Sequence, residues 1–183
     1  NSQPDIIYSY LNCGTAYYYL QDYTYATGQL SEAVQLTEHF YSKHHNLYSQ
    51  CIIELSKVLI ESKQFQEAEI KLKEIISFNA KERNEFLADA YYQLGNNYLQ
   101  QKKVTDASRY FLLADGLYQE IYGPHNIYSI DALTGLSNAC LQENNPSGAL
   151  EYANSALKHT MPERKIIHPY DHWECVLQTL KCK

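Results

Sequence analysis

Glycine and proline are scarce in this chain of 183 residues, at seven and five. So few breakers leave little material for the turns of a many-stranded β fold and favour long helices joined by short loops. No apolar run approaches the roughly 20 residues that a bilayer-spanning helix needs, so membrane insertion is not expected. No Cys-x-x-Cys pair occurs among the five cysteines, Cys13, Cys51, Cys140, Cys175 and Cys182. An odd count in a helical chain points to reduced thiols in an intracellular, cytoplasmic setting rather than to a disulfide framework. There is no basic stripe either. Net charge is −6, and the densest basic spots, Lys71 with Lys73 and Lys102 with Lys103, sit among acids or glutamines, which argues against a nucleic-acid partner. A Gly-rich phosphate loop, G-x-S-x-G and H-E-x-x-H are all missing, so no catalytic activity and no cofactor are expected. The chain opens at Asn1 without methionine or a signal-peptide pattern, and the expectation is a segment of a longer protein.

What is present is tyrosine, 18 of them within a 45% apolar composition, and a repeat. Tyr91, Leu94, Gly95 and Tyr98 fall on one helical face, a polar corner follows at Lys102-Lys103, and Val104, Ala107, Phe111 and Ala114 fall on a second face. Ile52, Leu55, Ser56 and Leu59 before Phe65, Ala68, Leu72 and Ile75 repeat the pattern. So do Leu133, Leu136, Ser137 and Cys140 before Pro146, Ala149, Ala153 and Ala156. In each unit two small residues stand 12 apart: Gly95 and Ala107, Ser56 and Ala68, Ser137 and Ala149. A fixed small–small spacing is what two antiparallel helices require where they cross closely, and an ordinary bundle does not impose it.

On these residues the chain resembles the tetratricopeptide repeat, a helix-turn-helix unit of 34 residues. The resemblance implies an all-α, right-handed α-solenoid of antiparallel helix hairpins, with about four units and a C-terminal capping helix. The expected division is a degenerate first repeat over 1–45, a second over 47–80, a third over 83–122, a fourth over 128–160 and a capping helix over 168–183. Nine helices are expected, at about 4–22, 31–43, 47–62, 66–77, 83–101, 105–121, 128–142, 147–159 and 170–181. The first unit is read as degenerate because Ala33, Leu30 and Phe40 are placed in its second helix, which puts Gln21 and Thr24 where apolar residues belong. The long third-to-fourth spacing, 42 residues from Ala107 to Ala149, and the corner Gly123-Pro124-His125-Asn126 are similar to the kinesin light chain type of repeat.

The resemblance also implies a role: an interaction scaffold that holds a partner peptide or subunit along the concave face, built from the first helix of each hairpin. The groove candidates are Ile53 and Lys57 in the second unit, Asp89, Tyr92, Asn96 and Leu99 in the third, and Asp131 and Asn138 in the fourth. Asn96 and Asn138 occupy equivalent places, and an amide can donate to and accept from a ligand backbone at once. Tyr92 beside Ile53 is the expected apolar anchor. A clamp for a C-terminal carboxylate is disfavoured, because Asp131 and Gly135 stand where cations are needed. An alternative is the regulatory or peptide-sensing repeat region of a larger enzyme or transcription regulator. His168, His172 and Cys175 have a spacing that a zinc site could use, but Pro169 starts the helix and leaves His168 outside it, only Cys182 a turn or more further on could be a fourth ligand, and no metal is expected.

Overall fold

The computed structural model describes residues 3–160, and the expected capping helix, with the His168, His172 and Cys175 set, lies outside the described residues. Eight helices are described: α1 Gln3–Tyr19, α2 Tyr23–Phe40, α3 Asn46–Glu61, α4 Phe65–Asn79, α5 Glu85–Gln100, α6 Val104–Tyr122, α7 Tyr128–Gln142 and α8 Pro146–Thr160. They pair as four antiparallel hairpins, and each hairpin docks on the next through its second helix: α2 on α3, α4 on α5, α6 on α7. Successive first helices also touch one another, whereas among the described residues no second helix touches another second helix. The chain is therefore an all-α solenoid that curves with α1, α3, α5 and α7 on its inner side.

Within each hairpin the corner is built the same way. Gln21, Lys63, Lys102 and Asn144 adopt left-handed backbone, with φ of 60°, 62°, 60° and 57°. The next amide in each case reaches back to the last turn of the preceding helix: Asp22 to the Tyr17 carbonyl (3.0 Å), Gln64 to Leu59 (2.8 Å), Lys103 to Tyr98 (2.9 Å) and Asn145 to Cys140 (2.9 Å). This is the Schellman stop, which satisfies carbonyls that the helix end leaves without partners. In α3, α5 and α7 a side chain just before the helix accepts from a first-turn amide. The His45 ring nitrogen accepts from the Leu47 amide (3.2 Å), Asn84 from Leu87 (3.1 Å) and Asn126 from Ser129 (2.8 Å).

Small residues let the helices close. A Cβ on Gly95 or on Gly135 would lie 2.5 or 2.6 Å from the Phe111 ring, so this fully buried ring is gripped between α5 and α7. Ser137 goes further and donates across the hairpin to the Ala149 carbonyl (2.9 Å), bonding the small–small pair directly. The core runs through Ile7, Leu30, Ile52, Leu59, Leu72, Ile75, Leu94 and Leu136, all buried.

One expected helix is misplaced. The second helix begins at Tyr23, not at 31, and Gln21 is a corner rather than part of α1. The 12-residue pair of this hairpin is Gly14 and Ala26: a Cβ on Gly14 would lie 2.5 Å from Leu30, and Ala26 is fully buried. The small residues Ala26, Ala68, Ala107 and Ala149 then follow at 42, 39 and 42 residues. Cys13, Cys51 and Cys140 are free thiols, and burial pushes that of Cys51 up to about 11.

Candidate functional site

The inner face carries two neighbouring hollows. The first, about 410 Å³, lies between α3 and α5 and is closed by the corner between α6 and α7. It brings together five of the residues expected from sequence: Ile53, Lys57, Asp89, Tyr92 and Asp131. The second, about 450 Å³, lies toward α1 and is lined by Lys57, Tyr92 and Asn96 among the expected residues. Lys57 and Tyr92, with Gln93, wall both hollows, so together they form one groove that runs from α1 to α7, across all four hairpins. Leu99 is half-buried and Asn138 exposed, and neither lines a hollow. Asn138 sits on α7, which has no further first helix beside it among the described residues to supply an opposing wall.

Periodicity places these side chains. Asp89, Tyr92 and Asn96 are spaced three and four apart, one turn each, and so share one face of α5. Tyr92 leans on Phe111, ring centroids 5.8 Å apart, so its ring is held rather than loose. The Asn96 amide nitrogen donates to the Gln93 side-chain oxygen (3.3 Å). The Lys57 ammonium is paired with Glu54 on its own helix (2.5 Å).

Several groove residues were not expected, and five of them are tyrosines. Tyr118 and Tyr122 come from α6, a second helix, and Tyr128 opens α7. Their rings form a stack, Tyr122 on Tyr128 at 4.4 Å and Tyr118 on Tyr128 at 5.7 Å. Helix α6 has 19 residues where α4 has 15, and the extra turn carries Tyr122 to the rim of the first hollow. The four-residue step from Tyr118 to Tyr122 was the available signal. At the other end, Tyr18 and Tyr19 wall the second hollow, Tyr19 being 78% exposed. Of three consecutive aromatics one must leave the buried stripe, and it is this one.

Electrostatically the first hollow is acidic. The Tyr118 hydroxyl donates to Asp89 (2.5 Å) and the Tyr122 hydroxyl to Glu85 (2.8 Å). Burial holds the Asp89 carboxyl above the usual carboxylate range, opposed by the Tyr118 hydrogen bond and the Lys57 charge. Burial and the adjacent Asp89 carboxylate push the Tyr118 hydroxyl far above its ordinary value, so it stays a donor. Nothing here forms a nucleophile–base pair, and no group of three or more His, Cys, Asp or Glu among the described residues is arranged to hold a metal ion. No described helix is long and apolar enough to cross a membrane.

Comparison with known proteins agrees with this architecture. The tetratricopeptide repeat family model matches residues 86–160. No curated protein matches the sequence. Among solved structures the chain is similar to the apo form of RapI (TM-score 0.71, 15% identity, covering 87% of this chain and 57% of that one). It is also similar to BtubC (BKLC) from P. vanneervenii (0.72, 13%, 90% and 70%) and to the nearly identical TPR-like repeats of a kinesin light chain from Podosopora anserina (0.73, 15%, 92% and 81%). The chain thus spans little over half of the RapI chain, and at these identities the likeness is one of fold. Residues 86–160 carry the tetratricopeptide repeat in sequence, and the described chain has the fold of tetratricopeptide solenoids, kinesin light chain-type repeats among them.

Proposed function

We propose that the chain is a protein–protein interaction scaffold that seats a partner peptide or subunit in the inner groove of the solenoid. The observation that carries this reading is the pair of adjoining hollows, which share Lys57, Tyr92 and Gln93 and are walled by rings, amides and carboxylates without a nucleophile–base pair among them. A groove this long and open suits an extended segment, which loses less affinity to ordering when the receiving surface is already formed. Photo-crosslinking tests it. A benzophenone side chain at Asn96 should label a bound partner, and one at Ile70, which is 69% exposed on the second helix α4, should not. Labelling from Ile70 alone would assign binding to the outer side.

A second reading makes the solenoid the regulatory or peptide-sensing region of a larger enzyme or transcription regulator. The reading frame around these residues decides it: a further catalytic or DNA-binding domain supports it, and repeats alone reject it.

A further inference from the structure

We propose that the hollow between α3, α5 and the α6–α7 corner takes a cationic side chain, lysine or arginine, of the partner peptide, an inference that rests on the groove reading above. The hollow combines an aromatic wall with unneutralised negative charge. On the aromatic side, Tyr122 and Tyr128 are 38% and 44% exposed and both line the space, so ring surface is available to a cation. A cation over a tyrosine face is drawn by the ring quadrupole, more strongly where water is partly excluded.

On the charged side, four carboxylates line the hollow, Glu54, Glu85, Asp89 and Asp131, against one ammonium, that of Lys57. Lys57 is already paired with Glu54. Among the described residues Glu85, Asp89 and Asp131 form no ion pair. Glu85 and Asp131 lie in the first turns of α5 and α7, where the helix dipole favours an acid. The dipole explains each acid on its own helix. It does not explain Asp89, one turn further along α5 and held up by burial, nor why all three converge on one space. The hydroxyls of Tyr118 and Tyr122 pin the Asp89 and Glu85 carboxylates in place, and each carboxylate keeps free lone pairs. An acidic or phosphorylated segment would meet like charge here, whereas a basic one supplies the missing counter-charge.

The test uses the full 183-residue chain. Random heptapeptides displayed on phage are selected on it, and the affinity of a selected peptide is then read by fluorescence anisotropy. The selected peptides should share lysine or arginine at one position. Replacing that residue by glutamine should weaken binding about tenfold or more, and raising the salt should weaken the parent peptide alone. In the double variant Glu85→Gln/Asp131→Asn the parent peptide should lose a similar factor, while the glutamine peptide binds as it does to the native chain. Asp131→Asn, which removes an exposed carboxylate, serves instead where the double variant melts early. Selected peptides without a shared cation, or a glutamine peptide weakened less than about twofold, overturn the inference and leave the groove reading standing. Failure to select any peptide overturns both.

Discussion

At the scale of single residues the tightest constraint is the Phe111 ring. Gly95 and Gly135 press on it from two helices, and a methyl group at either would stand well inside van der Waals contact. Gly95→Ala and Gly135→Ala should each cost about 1–3 kcal/mol, the usual penalty of overfilling a packed core. Urea melts would check this, and Gly28→Ala, with open space around it, is the control expected to be neutral or stabilising. Asp89 makes a second residue-scale prediction. Its folded carboxyl binds a proton more tightly than an exposed one, facing Tyr118, Lys57, Glu85 and Glu54. The native state therefore holds extra proton between the unfolded carboxyl value, about 3.9, and the raised folded value, and stability falls as pH climbs through that window. Asp89→Asn keeps an acceptor for Tyr118 and removes this slope. The variant should match the native chain below about pH 4 and exceed it at neutral pH, and Tm difference against pH reads the sign. Among these residues, Gly95 was legible from its spacing to Ala107. Gly135 was not, because its neighbour Phe111 lies on another hairpin and no local pattern announces a contact 24 residues away.

At the scale of elements the corners carry the information. Gln21, Lys63, Lys102 and Asn144 all hold left-handed backbone that glycine adopts with less strain. Lys102→Gly should therefore raise stability by up to about 1 kcal/mol, read from the thermal midpoint, because Lys102 enters no ion pair among the described residues. Loss of the cap in Asn84→Ala should have the opposite sign, by about 1 kcal/mol. The same corners explain which helices could be read from sequence. Lys63 and Lys102 interrupt apolar faces cleanly, so α3 to α6 were found with small errors at their ends. Around Gln21 the aromatic run Tyr17–Tyr19 and the tyrosines Tyr23 and Tyr25 blur the face, and without glycine or proline nothing marks the stop. The second helix was accordingly begun a full eight residues late, at 31 rather than Tyr23. The groove shows the same limit, because the pattern along one helix does not reveal which residues of a neighbouring helix reach into it. The spacing points to residues on α3, α5 and α7, while Tyr118 and Tyr122 belong to a second helix, and Tyr122 enters because α6 overruns by a turn.

At the scale of the whole molecule, each hairpin meets only its neighbours, so stability is a chain of nearest-neighbour terms. Hydrogen exchange should be slowest in α3 to α6, which have packed hairpins on both sides, and faster in α1 and α2, which have one. Uniform protection across all of these helices would show a single cooperative unit instead. The contacts are also unevenly distributed across the solenoid: first helices touch along the inner wall, and second helices leave the outer rim unjoined. Mechanically this makes the inner wall a hinge line, with each second helix of the first three hairpins anchored to the first helix of the next hairpin. Bending that changes the aperture of the groove must therefore slide second helices over the first helices on which they dock, and a partner that grips both hollows would set the curvature of the spring.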